Sequence, residues 1–216
     1  MITPAIFNEK DIEYIDYNKF TLPELIGTGG FGDVFKYELK ELNVAVVLKC
    51  LRFDTAPNEE IIKLIDDFIK ECKLLLSVSE DPNIIKFYGV TKDSNGHYNM
   101  VLQYANEGTL QQYLKTNFQQ LRWVDKLEVA DGIARGLSSL HARDIIHRDL
   151  HSRNILIHRR KPKIADFGAS KQINKETIIS DSDFIGVLEY TDPQCIIGGE
   201  AKRNKKSDIY SFGIIL

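Results

Sequence analysis

The stretch His147-Arg148-Asp149-Leu150-His151-Ser152-Arg153-Asn154, with Asp166-Phe167-Gly168 starting twelve positions beyond Asn154, constrains this chain more than any other. Each polar segment adjoins a short apolar run, 155–157 and 163–165. Runs that short and rich in β-branched residues read as strands, which leaves the polar residues on loops held at their ends. An Asp, an Asn and a second Asp are thereby presented at close spacing. One carboxylate can take a proton; an amide oxygen and the other carboxylate can hold hard cations.

The surrounding pattern predicts a strand-rich half followed by a helix-rich half. Residues 20–27 lead as a strand into a glycine turn, 33–39 lead out of it, and 44–51 form a continuous apolar run typical of a covered strand. Ile61, Ile65, Phe68, Cys72 and Leu75 recur at three and four residues and mark one buried helix face. Residues 83–90 and 99–104 read as two more strands, with turns at Gly89 and Asn95-Gly96. Beyond Glu107-Gly108 come a short helix, 109–115, and a long one, 124–141, with Leu127, Ala130, Ile133, Ala134, Leu137 and Leu140 inward. The expected class is α+β, with an extension at 1–19, a first lobe at 20–105, a second at 106–216 and a hinge near 103–108.

Composition excludes some partners. Lys plus Arg number 28 against 31 Asp plus Glu, so a net charge of −3 exerts no general pull on nucleic acid or an anionic membrane. The basic run Lys202-Arg203-Asn204-Lys205-Lys206 reads as a solvated loop. The three cysteines, Cys50, Cys72 and Cys195, are far apart and match no metal-ligand spacing. Residues 1–10 carry no secretory pattern, and no apolar stretch is long enough for a membrane span. The expected location is the cytoplasm or nucleus.

Gly27-Thr28-Gly29-Gly30-Phe31-Gly32-Asp33-Val34 adds a second motif. A GxGxxG turn also marks dinucleotide folds, but those continue into a helix, whereas Val34-Phe35-Lys36-Tyr37 alternates as a strand. A plain hairpin turn is the other reading. Taken together, the glycine loop, HRDLHSRN and IADFG resemble the catalytic domain of the eukaryotic protein kinases over residues 20–216. Glu107-Gly108-Thr109-Leu110 and Ala134-Arg135-Gly136-Leu137 are most similar to the tyrosine-kinase-like and tyrosine-kinase group.

The resemblance implies a two-lobed kinase fold: an antiparallel sheet plus one helix, then a mainly helical and here incomplete second lobe. It implies ATP and Mg2+ as cofactors, a protein substrate and an upstream kinase as a further partner. Asp149 would be the catalytic base, Asn154 and Asp166 the metal ligands, and Lys49 the contact to the α and β phosphates, held by Glu71. Glu59 and Glu60 are weaker alternatives to Glu71. Ile26, Gly27, Gly29, Gly32, Val34, Val47, Leu102, Gln103, Ala105 and Leu156 would line the nucleotide, with backbone groups of Gln103 and Ala105 on the adenine. Arg148 before Asp149 implies control by phosphorylation, the candidate acceptors being Ser170, Thr177, Ser180, Ser182, Tyr190 and Thr191. Asp208 would brace the HRD backbone.

Several residues depart from the family pattern. Val47 replaces the usual Ala beside adenine; two extra methyls cost about 1–3 kcal/mol, a weakening of roughly tenfold to a hundredfold. Gln194 stands in Asp192-Pro193-Gln194 where the family has Glu, Val187 where Thr is common, and His151 where serine/threonine kinases carry Lys. The chain stops at Leu216 about ten residues (roughly 15 Å) into its last helix, whose Ile209, Tyr210, Phe212, Ile214, Ile215 and Leu216 need a core to enter. A truncated, marginally stable chain prone to associate is therefore expected. The leading reading is a serine/threonine protein kinase in signal transduction. The alternatives are a tyrosine or dual-specificity kinase, a truncated nucleotide-binding or scaffold homologue without catalysis, and a small-molecule kinase of related fold.

Overall fold

The computed structural model describes residues 7, 11–29, 32–50, 58–173, 187–197 and 203–216, without the side chains of 27–29, 32–34, 58–60 and 197. It has two compact units, Met1–Ser79 with Lys86–Tyr104, and Glu80–Ile85 with Ala105–Leu216. The described elements make an α+β chain with the sheet in the first unit and most of the helix in the second.

The first unit holds strands β1 (Glu24–Gly29), β2 (Gly32–Leu39), β3 (Val44–Cys50), β4 (Phe87–Lys92) and β5 (Tyr98–Gln103), and helix α1 (Asn58–Val78). The sheet is antiparallel in the order β1-β2-β3-β5-β4, with β3 central. Central position does not bury β3 on both faces, as its apolar run had led one to expect. Val46 alone is fully buried, against Ile15, Phe20, Leu39 and Val101; on the other face Val47 and Lys49 are half-buried. The strand's period of two separates those sets.

In α1 the buried positions are Phe68, Ile69, Glu71, Cys72, Leu75 and Val78, one helical stripe; Ile61 and Ile65 are only half-buried. The stretch before Phe20 contributes to this unit. Glu13 and Ile15 exchange 2.8 Å backbone hydrogen bonds with Val90, and Ile12 and Ile15 are buried. Gly89 makes this approach feasible: its φ is +144°, and an added Cβ would lie 2.3 Å from the Glu13 carbonyl oxygen.

The strand expected at 83–90 begins only at Phe87. Residues 80–85 group with the second unit, where Ile84 bridges Ile164 and the Ile85 amide donates to the Ile164 carbonyl at 2.9 Å. That unit holds α2 (Leu110–Asn117), α3 (Trp123–Ala142), strand pairs β6 (Ile145–Ile146) with β9 (Lys171–Gln172) and β7 (Ile155–His158) with β8 (Lys161–Ile164), α4 (Pro193–Ile197) and α5 (Lys205–Ile215). Thr109 and Gln112 form a capping box that starts α2.

The buried stripe of α3 runs through Val129, Gly132, Ile133, Gly136, Leu137 and Leu140, while Leu127 is 61% exposed. Leu127 was expected inside. The stripe turns instead on two glycines, which admit neighbouring groups that a larger residue would exclude. A Cβ on Gly132 would come 2.5 Å from the Pro162 ring, and one on Gly136 would come 3.0 Å from Ile164.

In α5 the buried residues are Ser207, Asp208 and Ser211, whereas Ile209, Tyr210, Ile214 and Leu216 are exposed. Lys205 and Lys206 of the basic run open this helix rather than lying in a loop, with Asn204 as its cap. Among the described residues no helix is long and apolar enough to cross a membrane.

Candidate active site

In the first unit β3 delivers Lys49 and α1 delivers Glu71, with Nζ and Oε1 2.7 Å apart. The two ends are unequally held. Glu71 lies in the buried stripe of α1 at 10% side-chain exposure, whereas Lys49 retains 41%. A carboxylate seated among apolar side chains thus steers an ammonium that still meets solvent. Glu59 and Glu60 have no described side chains.

Val47 pairs with both Lys36 and Leu102, and Leu102 also with Phe87, so these two half-buried residues are neighbours across β3 and β5. The Gln103 amide is committed to the Lys86 carbonyl at 2.9 Å. Ile26 is partly exposed on β1. The backbones of Gly27, Gly29 and Gly32 lie in a β1–β2 hairpin closed by the Gly29–Gly32 pair, with Val34 on β2; Gly30 and Phe31 lie outside the described residues. Glycine turn leads to strand, not helix, which removes the dinucleotide alternative.

In the second unit Asp149, Asn154 and Asp166 are set by backbone bonds. The β7–β8 hairpin turns at Arg159 and Arg160, both with positive φ, and their amides donate to Asn106 and Glu107. Asn154 opens the approach to β7, and its carbonyl accepts from Ala165, one residue before Asp166. Asn154 Nδ2 donates to the Asp149 carbonyl at 2.9 Å and to Asp149 Oδ2 at 3.1 Å. This turns its oxygen end away from Asp149. Asp149 Oδ1 is buried without a hydrogen-bond partner among the described residues, an acceptor left unsatisfied. Burial pushes the Asp149 carboxyl up, but His151, His147 and the Asn154 amide outweigh it and hold it below the ordinary carboxylate range. Leu156 is half-buried on β7 and Ala105 is buried.

The loop hangs on Asp208. This fully buried carboxylate accepts from the amides of His147 and Arg148 at 2.9 Å each and lies 2.8 Å from His141 Nε2. Arg148 and Asp166 adopt left-handed φ of 72° and 62°, a conformation non-glycine residues keep only where surroundings enforce it. Phe167 is buried edge-on against His147, ring centroids 5.4 Å apart.

Three contributors were not foreseen. Arg203, from the run read as solvated, is half-buried and donates to the Arg148 carbonyl. Burial first, and the Arg148 charge second, lower its pKa from the usual value. His151 Nδ1 accepts from the Arg153 and Asn154 amides at 3.2 Å, which leaves Nε2 3.6 Å from Asp149. Tyr190 meets Ser152 Oγ through its hydroxyl at 3.0 Å. Sequence spacing carries no signal for the Arg203 and Tyr190 contacts, since both come from distant segments. Among the candidate phosphorylation sites, Thr191 is buried and donates to Val187, Ser170 donates to His147, and Thr177, Ser180 and Ser182 lie outside the described residues.

Known proteins share this arrangement of sequence. A family model described as protein tyrosine and serine/threonine kinase matches residues 20–216. The chain is similar to the serine/threonine-protein kinase PrkC of Bacillus subtilis, 32% identical over 92% of this chain and 30% of that protein. It is also similar to the leaf rust 10 disease-resistance locus receptor-like protein kinase-like 1.3 of Arabidopsis thaliana, 32% identical over 98% of this chain and 29% of that protein. The probable serine/threonine-protein kinase kinX of Dictyostelium discoideum is 32% identical over 94% of this chain and 18% of its own length. The chain thus spans less than a third of these relatives. With a lysine–glutamate pair in one unit and a braced Asp–Asn loop in the other, it belongs to the protein tyrosine and serine/threonine kinase family.

Proposed function

We propose that this chain transfers the γ-phosphate of ATP to serine or threonine hydroxyls of a protein substrate in signal transduction. The observation that carries this reading is the buried, unsatisfied acceptor Oδ1 of Asp149, on a carboxylate held by Asn154 and ionised at neutral pH. Asp149 would accept the proton of the attacking hydroxyl. Asn154 Oδ1 and an Asp166 carboxylate oxygen are hard donors that suit Mg2+. When bound, Mg2+ would neutralise phosphate charge during transfer. Lys49 would bind phosphate oxygens, and Glu71 would keep its ammonium aimed.

Serine/threonine acceptance is supported by the names of PrkC and kinX. Control by an upstream kinase is supported by Arg148 and Arg203, two guanidiniums beside the catalytic loop, where a phosphate would relieve their repulsion. Cytoplasmic placement is supported by Cys50, Cys72 and Cys195 not being joined in disulfides.

The test is transfer of labelled γ-phosphate from Mg-ATP to a generic protein, followed by phosphoamino-acid analysis, with Asp149→Ala alongside. Transfer to serine or threonine that disappears in the variant supports the reading. Transfer confined to tyrosine overturns the acceptor, and absence of transfer favours the non-catalytic alternative.

A further inference from the structure

A second cluster of chemically active side chains lies in the first unit, at the sheet end where β3 finishes and β4 turns into β5. Cys50 is the last residue of β3 and pairs with Asn99 on β5. Asp93 and His97 flank the turn between β4 and β5. The Cys50 sulfur, an Asp93 carboxylate oxygen and a His97 ring nitrogen all lie within 4.8 Å of one another.

We propose that Cys50, Asp93 and His97 bind a borderline divalent cation, Zn2+ above all, with a fourth position open to solvent. The ligand chemistry selects the ion. Thiolate and imidazole favour Zn2+ over Mg2+ or Ca2+, and three protein ligands plus an open position is a recurrent zinc arrangement. The geometry is close to what the ion needs. Bond lengths of 2.0–2.3 Å put tetrahedral ligand atoms about 3.3–3.6 Å apart; His97 Nδ1 and Asp93 Oδ2 are already 3.8 Å apart. Exposed Cys50 can close the remaining gap by side-chain rotation.

The carboxylate is pre-oriented. Asp93 Oδ1 accepts from the amides of Asn95 and His97 at 2.9 and 3.0 Å, and Asn99 Nδ2 holds Oδ2 at 3.1 Å. Such supporting bonds to a ligand raise its fitness for a metal. A Cys50 thiolate and the Asp93 carboxylate would add negative charge at this spot. Tyr37 feels that field: burial, then the Tyr17 contact, then Asp93 and Cys50 keep its hydroxyl protonated well above the usual range. The ion would tie β3, one residue past Lys49, to the β4–β5 turn.

The experiment titrates the full chain with Co2+ as a spectroscopic stand-in and with Zn2+ as competitor. The expected result is a thiolate-to-metal charge-transfer band that saturates, is displaced by Zn2+, and is accompanied by a rise in Tm with Zn2+. Cys50→Ser should abolish the band, His97→Gln should weaken binding by about 100-fold or more, and Cys195→Ser should leave both unchanged. Circular dichroism of each variant checks that it is folded. A band that survives Cys50→Ser, unchanged affinity in folded His97→Gln, or no band at millimolar Co2+ overturns the proposal.

Discussion

Lys49 and Asp149 are held in opposite ways. Lys49 stands on a regular strand, with its ammonium paired to Glu71 at 2.7 Å. Asp149 stands on an irregular loop and depends on many bonds. Asn154 holds its side chain and carbonyl, and Asp208 accepts the two preceding amides. A strand has its backbone hydrogen bonds met by its neighbours, so side-chain contacts such as an ion pair are left to aim a side chain on it. A loop lacks such neighbours, so a buried carboxylate has to satisfy donors that would otherwise be orphaned. The positive φ of Arg148 and Asp166 belongs to the second arrangement.

That contrast can be broken by substitution. Asp149→Ala has the largest expected effect, a loss of roughly 10²–10⁴ in kcat with little change in Tm, measured by phosphate transfer and thermal melt. Asp208→Ala removes the acceptor for two amides and the neighbour of His141. It should cost about 3–5 kcal/mol in urea unfolding, and a loss under about 1 kcal/mol would show that the loop does not hang on this residue.

Glycines sharpen the comparison, because each unit packs a segment against one. Gly132→Ala would normally favour a helix, yet its Cβ meets the Pro162 ring at 2.5 Å. Gly89→Ala combines a φ of +144° with a 2.3 Å approach to Glu13. Each should destabilise by about 1–3 kcal/mol, and a stabilised Gly132→Ala would mean that α3 can move off β8. Val47→Ala should strengthen ATP binding by roughly tenfold to a hundredfold, read by calorimetry; no gain would sink the idea that Val47 crowds adenine. Glu71→Gln should change stability least, within about 1 kcal/mol, because Lys49 keeps 41% exposure, while transfer falls. A large stability loss there would make the two units alike.

Alternation and helical spacing made the order of elements legible, because they record which face of a strand or helix avoids water. They failed at Leu127, because the buried face of α3 is built on Gly132 and Gly136, residues without an apolar signal. They also failed at 83–85, which pair with β8 through Ile164 rather than extending β4. Asp149, Asn154 and Asp166 stood out by their spacing and Lys49 with Glu71 through the resemblance; the structure pairs Lys49 with Glu71 and Asp149 with Asn154.

What the sequence by itself determined is the residue types of the two motifs, since spacing along a loop or strand places Asp149 near Asn154 and Lys49 on β3. What only the tertiary structure decided are meetings between distant segments that no motif flagged: Arg203 beside Arg148, Tyr190 against Ser152, and Cys50 with Asp93 and His97. The cysteines match no metal-ligand spacing because Cys50 lies on β3 while Asp93 and His97 flank the β4–β5 turn, far along the chain. Strand pairing sets their distance, and pairing depends on register between segments far apart in the chain.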